Sequence, residues 1–210
     1  MFKKLKEAKQ EREKALKIMT DFVEGRITTE VFWEQHYKTN EIIRNLIIND
    51  EKQLNGSKQL FLSMQEALKN TNLQILHDRV EVFRRTANYF RRREIKLDYK
   101  NKDSELYGFL LDIQPDWLEL QDEEFLLGIY NSAPNDLSES KKKEYCKARI
   151  RELFKYDKKP PEWLQSGEWA IVNGKPLVFS HQETAQDSDH ELYYFYDAET
   201  KEEIIVEQYT

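Results

Sequence analysis

The sequence predicts an α+β protein, with a mainly helical N-terminal body of five to seven helices over residues 1–159 and a small C-terminal antiparallel sheet of three to four strands over residues 160–210. Two observations predict this class. Apolar side chains recur every three or four residues as far as about residue 155, which is helical spacing. From residue 160 the chain instead holds an Asn-Gly turn and runs rich in β-branched and aromatic residues. We expect one compact unit, because so small a sheet needs a helix layer on one face.

The first half of the chain contains a series of helical patterns with recognisable caps. The first covers Phe2 to Glu24, and Gly25 is placed to end it. Thr28 or Thr29 caps the next segment, and Thr39 or Asn40 caps EIIRNLII. Asn55-Gly56 forms a turn before a helix from Ser57. The longest apolar seam consists of Leu73, Leu76, Val80, Phe83, Ala87 and Phe90.

The middle of the chain predicts three further helical segments. Residues 96–121 form a helix that breaks near Gln114, because Pro115 disfavours helix in the residue before it. Residues 122–131 form a short helix, and Ser138 caps a last one that runs to about Lys155.

The sequence of the C-terminal region predicts β-hairpins that are anchored by tryptophan side chains. Asn173-Gly174 is the strongest short hairpin signal, because both positions favour positive φ. Two further strands, ELYYFYD and EEIIVEQ, are joined by AETK. Pro160-Pro161 holds the chain extended. We expect Trp163 and Trp169 to clamp the sheet onto helices by burying large apolar area.

Composition and motifs indicate a cytoplasmic protein without a recognisable catalytic centre. The single cysteine, Cys146, fits a reducing compartment. The charged N-terminus lacks the apolar core of a signal peptide. No G-x-S-x-G, P-loop or G-x-G-x-x-G motif occurs, and no histidine has metal-ligand spacing. We therefore expect a non-enzymatic protein with no cofactor, while an enzyme without a recognisable motif remains an alternative.

Charge is distributed in blocks of alternating sign. Residues 1–102 carry 22 basic and 15 acidic side chains, and residues 103–140 carry 10 acidic and no basic ones. Residues 141–159 are again basic, and residues 160–210 carry 11 acidic and 2 basic side chains. The blocks either neutralise one another in the fold or present acidic surface to a basic partner. The candidate contacts for such a partner are Asp116, Asp122, Glu123, Glu124, Asp187, Asp189 and Glu191.

An arginine-rich helix over residues 79–93 offers an alternative function. Arg84 and Arg91 are two helical turns apart, and so are Arg85 and Arg92, so each pair shares a face. Such a face can hold phosphates, which would make the protein a nucleic-acid-associated regulator. It can equally pair with the acidic block 103–140 of the same chain. The net charge of −6 argues against a dedicated nucleic-acid binder.

The tail PPEWLQSGEW…NGKPLVF…YYFYDAETKEEIIVEQ resembles the C-terminal part of small uncharacterised bacterial proteins, some of which are similar to immunity proteins of polymorphic toxin systems. The resemblance covers about the last third of the chain, and its motifs are packing motifs. It implies no catalytic residue. It implies a bacterial binding protein that neutralises a toxin through protein–protein contact, and acidic surface would speed the capture of a basic toxin.

Overall fold

The computed structural model describes residues 2–55, 70–118, 123–184 and 190–209. Within these ranges it contains seven α-helices and five strands, which confirms the predicted α+β class with a mainly helical N-terminal body and a C-terminal sheet. The elements are α1 Phe2–Val23, α2 Thr29–Val31, α3 Glu41–Asn55, α4 Leu76–Arg91, α5 Lys102–Ile113, α6 Glu123–Ser132, α7 Glu139–Leu153, β1 Ile171–Val172, β2 Lys175–Pro176, β3 Val178–Thr184, β4 His190–Tyr196 and β5 Glu203–Tyr209. A π-helical segment, Phe32–Tyr37, continues α2.

Internal contacts divide the chain into two compact units, Met1–Tyr107 and Gly108–Thr210, and the division falls inside α5. The change from helix to strand comes later, between the end of α7 and the start of β1. The predicted boundary between residues 159 and 160 lies in the stretch where helix gives way to strand. The boundary between the two compact units lies earlier, between Tyr107 and Gly108.

The core of the first unit is aromatic and is built by α1, the π-helical segment, α3 and α4. Phe22 of α1 stacks on Phe32 with ring centroids 4.1 Å apart, and Phe83 of α4 meets Phe22 edge-on at 5.9 Å. Trp33 stacks on Tyr37 at 4.4 Å within the π-helical segment. Stacked and edge-on aromatic pairs add to the free energy of area burial, so these rings fix how the helices pack.

One polar cluster lies beside this core. The buried Thr29 donates its hydroxyl to Asp103 Oδ2 at 2.7 Å, and Arg79 Nε donates to Asp103 Oδ1 at 3.0 Å. Arg79 also donates to the carbonyl of Leu73 at 2.8 Å. The pair of Arg79 and Asp103 shows a basic residue of the first block neutralised by an acidic residue of the second.

Short-range signals place the helix ends where the sequence predicts them. Thr28 Oγ1 accepts the amide of Val31, and Asn40 Oδ1 accepts the amides of Ile42 and Ile43. These side chains satisfy amides that have no partner inside the helix. The predicted turn at Asn55-Gly56 and the helix from Ser57 lie outside the described residues, apart from Asn55, the last residue of α3.

Two sequence expectations differ from the structure. In the first predicted helix, Leu5 has the same helical spacing as Ala15, Met19 and Phe22, but Leu5 is 62% exposed and the other three are buried. Helix α4 starts at Leu76, so Leu73 precedes it, although Leu73 still packs against the core. Asn72 closes a turn before the helix: its carbonyl accepts the amide of Ile75, and its side chain accepts the amide of Gln74. Local hydrogen bonds therefore override the apolar spacing here.

Gly25 is required by the backbone at the end of α1. Its φ is +73°, and a Cβ at this position would lie 3.1 Å from the carbonyl oxygen of Lys100. We expect Gly25→Ala to lower the free energy of unfolding by about 1–2 kcal/mol, because alanine is strained in the left-handed region and must also displace a backbone atom. Urea denaturation followed by circular dichroism measures the change.

Gly128 supplies the matched control for that substitution. It lies within α6 on an exposed face, and a Cβ there would meet nothing within 4 Å. Gly128→Ala should stabilise the protein by about 0.5–1 kcal/mol, since alanine loses less backbone entropy in a helix. Equal effects of the two substitutions would contradict the assignment of strain to Gly25.

The core of the second unit is centred on Trp169, which is 6% exposed. Its ring lies 5.3 Å from that of Phe154 at the end of α7, and 5.4 Å from that of Phe195 in β4. Its Nε1 donates to the carbonyl of Leu177 at 2.8 Å. Trp169 thus joins helix and sheet within this unit, as expected of a clamp.

Hydrogen bonds and a ring contact hold the extended segment after Pro160-Pro161 against the sheet. Trp163 packs on Tyr193 with ring centroids 4.5 Å apart and donates Nε1 to the carbonyl of Trp117 at 2.8 Å. The Tyr193 hydroxyl accepts the amide of Leu164 at 2.7 Å. Gln208, only 4% exposed, donates to the carbonyl of Ser166 at 2.7 Å. This segment covers one face of the three-stranded sheet.

The strands form two sheets. β1 and β2 pair across Asn173-Gly174, whose φ values of 50° and 73° fit the predicted tight turn. The second sheet has the order β3-β4-β5 and is antiparallel throughout. β3 and β4 shift register between Phe179 and His181. Among the described residues, no helix is both long and apolar enough to cross a membrane.

Candidate functional site

β4 is apolar or aromatic on both faces, although only one face is packed. Side chains alternate between the two faces of a strand. On one face Tyr193 and Phe195 are 0% and 1% exposed. On the other, Leu192, Tyr194 and Tyr196 are all partly exposed. An antiparallel sheet covered on one side normally carries polar residues on its open side, so this aromatic open side is a candidate interaction surface.

The strand pairing assigns the members of that surface, because cross-strand partners share a face. Tyr194 pairs with His181 in β3 and with Ile205 in β5. We name the surface the outer sheet face and define it by the members of these pairs that are not buried, namely His181, Glu183, His190, Leu192, Tyr194, Tyr196, Glu203, Ile205, Glu207 and Tyr209. Val178, the partner of Tyr196 in β3, lies on the same face but is buried. None of these ten side chains is buried.

The centre of the outer sheet face consists of a stacked ring pair beside an aliphatic side chain. The ring of His181 stacks on Tyr194 with centroids 4.4 Å apart and planes 1° from parallel. Next to this pair, Ile205 is 49% exposed, and at the end of β5 Tyr209 is 54% exposed. Tyrosine and aliphatic side chains grouped in this way are typical of the central residues of protein interfaces.

Carboxylates border this centre. Glu183, Glu203 and Glu207 are exposed, and in the part of the chain that the structure describes none of them is ion-paired with a lysine or arginine. Glu183 lies 3.5 Å from the His181 Nε2, and Glu207 accepts the hydroxyl of Tyr209 at 2.6 Å. Because no described lysine or arginine is ion-paired with these three carboxylates, they contribute a negative potential toward an approaching partner.

A cation already lies over one ring of this surface. Lys201 Nζ is 5.0 Å from the ring centroid of Tyr196, within the range of a cation–π interaction. Tyrosine rings beside exposed carboxylates suit the guanidinium group, which can stack on an aromatic ring and pair with a carboxylate at the same time. The outer sheet face is therefore chemically matched to arginine and lysine side chains.

The acidic residues that the sequence nominated are distributed over several places. Asp116 is exposed and lines a cleft beside α7. Glu123 and Glu124 lie in the first turn of α6. Glu191 belongs to β4 but lies on the packed face, where it accepts the hydroxyl of Thr184 at 2.7 Å. Outside the described residues are Asp122, Asp187 and Asp189.

Sequence reasoning missed Glu183, Glu203 and Glu207. The signal that finds two of them is the alternation in β5, where Glu203, Ile205, Glu207 and Tyr209 share one face. The alternation alone does not say which face is open.

The arginine-rich helix does not present its four nominated arginines as one uncompensated face. Arg84 makes two hydrogen bonds to Glu81, at 2.7 and 2.6 Å, and Arg85 Nε lies 3.5 Å from the same carboxylate. Arg91 packs over the ring of Tyr99 at 4.6 Å. Arg92 is exposed at the end of α4.

Glu81 provides a test of this pairing through pH. Partial burial opposes ionisation, but the hydrogen bonds from Arg84 and the charges of Arg84 and Arg85 hold the pKa of Glu81 below its usual value. A lowered pKa in the folded state means that the stabilisation is complete above the unfolded pKa of about 4.3 and is lost as the pH falls through the folded value.

We therefore expect Glu81→Gln to cost about 1 kcal/mol at pH 7 and much less at pH 3. Urea denaturation at the two pH values measures the difference. Arg84→Gln removes the hydrogen bonds from Arg84 to Glu81. The free energy of unfolding of this variant should therefore depend less on pH than that of the wild type. A cost of Glu81→Gln that is equal at both pH values would contradict the pairing.

Cys146 is a buried thiol, and the described residues contain no cluster suited to a metal ion. Cys146 is 0% exposed, and burial raises the pKa of its thiol, which disfavours the nucleophilic thiolate. Across residues 2–55, 70–118, 123–184 and 190–209, no group of three or more His, Cys, Asp or Glu side chains is arranged to hold a metal ion.

Comparison of the chain with protein-family models, with curated proteins and with solved structures gave no match.

Proposed function

We propose that this protein is a non-catalytic bacterial binding protein that captures a basic protein partner with the outer sheet face, and most concretely an immunity protein that neutralises a toxin. The observation that carries the proposal is the two-sided aromatic strand β4, of which only one side is packed. Large exposed apolar patches on soluble proteins mark interaction sites. The three exposed carboxylates at its border select a positively charged partner.

The size of the surface indicates how it is used. Three strands of seven residues cover roughly 350 Å², given strand spacings of about 4.8 Å and rises of about 3.4 Å. A standard interface buries about 800 Å² on each partner. The outer sheet face is thus large enough to form the centre of an interface, and the partner must also contact residues around it.

A growth assay tests this function. The open reading frame next to the gene is expressed in a bacterial host alone and together with this protein. We expect its product to be toxic and basic, and we expect this protein to restore growth. Failure to restore growth, together with recovery of no basic protein by affinity purification from the native host, would contradict the proposal.

The same growth assay distinguishes nucleic-acid binding by the arginine-rich helix from protein binding by the outer sheet face. Arg91→Glu combined with Arg92→Glu removes two of the nominated arginines and leaves the outer sheet face unchanged. This variant should restore growth as well as the wild type does. Arg84 and Arg85 both contact Glu81. This carboxylate offsets their charge toward a phosphate backbone, so the helix does not favour nucleic-acid binding over protein binding.

A further inference from the structure

The second unit contains a cleft of about 860 Å³ between the end of α5 and the C-terminal half of α7. Its floor includes Ile113, Ile150 and Phe154, which are buried core residues. Pockets for small molecules are typically about 300–1,000 Å³, with an apolar floor and a few polar groups. The cleft has the size and lining of a small-molecule site, and it shares no residue with the outer sheet face.

One wall of the cleft is cationic. Lys147 and Arg151 are one helical turn apart on α7, and Lys155 follows the end of that helix. All three are exposed, and none of them is ion-paired in the described ranges. Like charges four residues apart destabilise a helix slightly. The charge of Lys147 also acts on Asp112, whose pKa it helps to lower, whereas Arg151 and Lys155 have no ion-pair partner among the described residues. In a chain with a net charge of −6, this cationic wall offers a site for an anion.

The opposite wall carries acceptors. Asp116 is exposed and has no ion-pair partner among the described residues. Asp112 is different, because its hydrogen bond and ion pair with Lys143 at 2.8 Å hold its pKa below the usual range. Asp116 therefore remains available to accept hydrogen bonds from hydroxyl or amino groups of a ligand.

Aromatic side chains complete the lining. Trp117 and Tyr156 both line the cleft, with ring centroids 5.8 Å apart and planes nearly perpendicular. Tyr156 is 40% exposed. An exposed aromatic side chain in the lining provides a surface for a flat ring.

We infer that this cleft binds a small phosphorylated ligand with a planar ring and hydroxyl groups, which is the chemistry of a mononucleotide. Lys147 and Arg151 hold the phosphates through charge-assisted hydrogen bonds. Tyr156 and Trp117 contact the ring, and Asp116 accepts the ligand hydroxyls. Cationic side chains take the place of the glycine-rich backbone cradle that the sequence lacks. This site goes beyond the proposed function and does not depend on it.

Calorimetric titration of the full-length protein with ADP, pyrophosphate and adenosine tests the inference. ADP should bind at least about 10-fold more tightly than pyrophosphate or adenosine, because only ADP engages both walls and the aromatic side chains. The Trp117 indole resonance in a ¹H–¹⁵N spectrum should shift with ADP. Binding of pyrophosphate or adenosine as tight as that of ADP, or no binding of ADP, would overturn the inference.

Substitutions in each wall of the cleft test how that wall contributes to ligand affinity. Lys147→Glu with Arg151→Glu should weaken ADP binding at least about 10-fold, and Arg151→Gln alone gives a milder version that preserves folding. Asp116→Asn should weaken ADP without changing pyrophosphate binding. The matched control is Lys141→Glu, an exposed lysine of α7 outside the cleft. An equal loss in the control and the double variant would show non-specific charge attraction and contradict the site.

Discussion

Replacing Trp169 with alanine is expected to lower the free energy of unfolding of the second unit by about 3–5 kcal/mol. Trp169 contacts Trp117, Phe154, Phe179 and Phe195, with ring centroids 5.3 to 6.3 Å away. Alanine removes all of these contacts and leaves a cavity in the centre of the unit. It also leaves the carbonyl of Leu177 without the indole donor.

Because the chain divides into two units, unfolding is best followed by amide hydrogen exchange, which reports each unit separately. Trp169→Phe keeps a ring but removes the indole donor, so it should cost less than alanine. Leu164→Ala is the control, since Leu164 is 39% exposed and surface substitutions change stability by about 0.5 kcal/mol or less. A loss below about 1 kcal/mol for Trp169→Ala would show that this residue is not the clamp of the unit.

Replacing Ile205 with arginine is expected to weaken binding of the basic partner at least about 100-fold, a loss in the range of interface hot spots. Ile205 lies beside Tyr194 at the centre of the outer sheet face and is 49% exposed. Arginine there introduces bulk and a positive charge that repels a basic partner. Folding should be unaffected, because the side chain is not part of the core.

Val172→Arg is the matched control for this substitution. Val172 is also an aliphatic strand residue, 38% exposed, but it belongs to β1 and not to the outer sheet face. Calorimetry with the partner recovered from the host should show unchanged affinity for Val172→Arg. A similar loss for both variants, or none for Ile205→Arg, would exclude this face as the contact surface.

The sequence was a good guide wherever the structural cause is local. Asn173-Gly174, Asn40 and Gly25 each fix a turn or a helix end through their own backbone or side chain, and all three lie where they were predicted. Pro115 likewise follows the end of α5 by two residues. Such signals act over a few residues and need no knowledge of packing.

The parts of the candidate site that depend on distant pairing could not be predicted. Glu191 and Glu207 look equivalent in the sequence, yet the register of β4 and β5 places Glu191 on the packed face and Glu207 on the open one. A shift of register by one residue would exchange them. The cleft could not be predicted for the same reason, because Asp116 and Arg151 are far apart in the sequence and only the fold brings them to one cleft.

Methyl NMR of the complex tests most directly whether the outer sheet face docks a basic partner. On addition of the partner recovered from the host, the methyl signals of Leu192 and Ile205 should shift, while those of Ile204 on the packed face and of Val172 in β1 should not. Shifts at Val172 or along α4, with Leu192 and Ile205 unchanged, would contradict the claim.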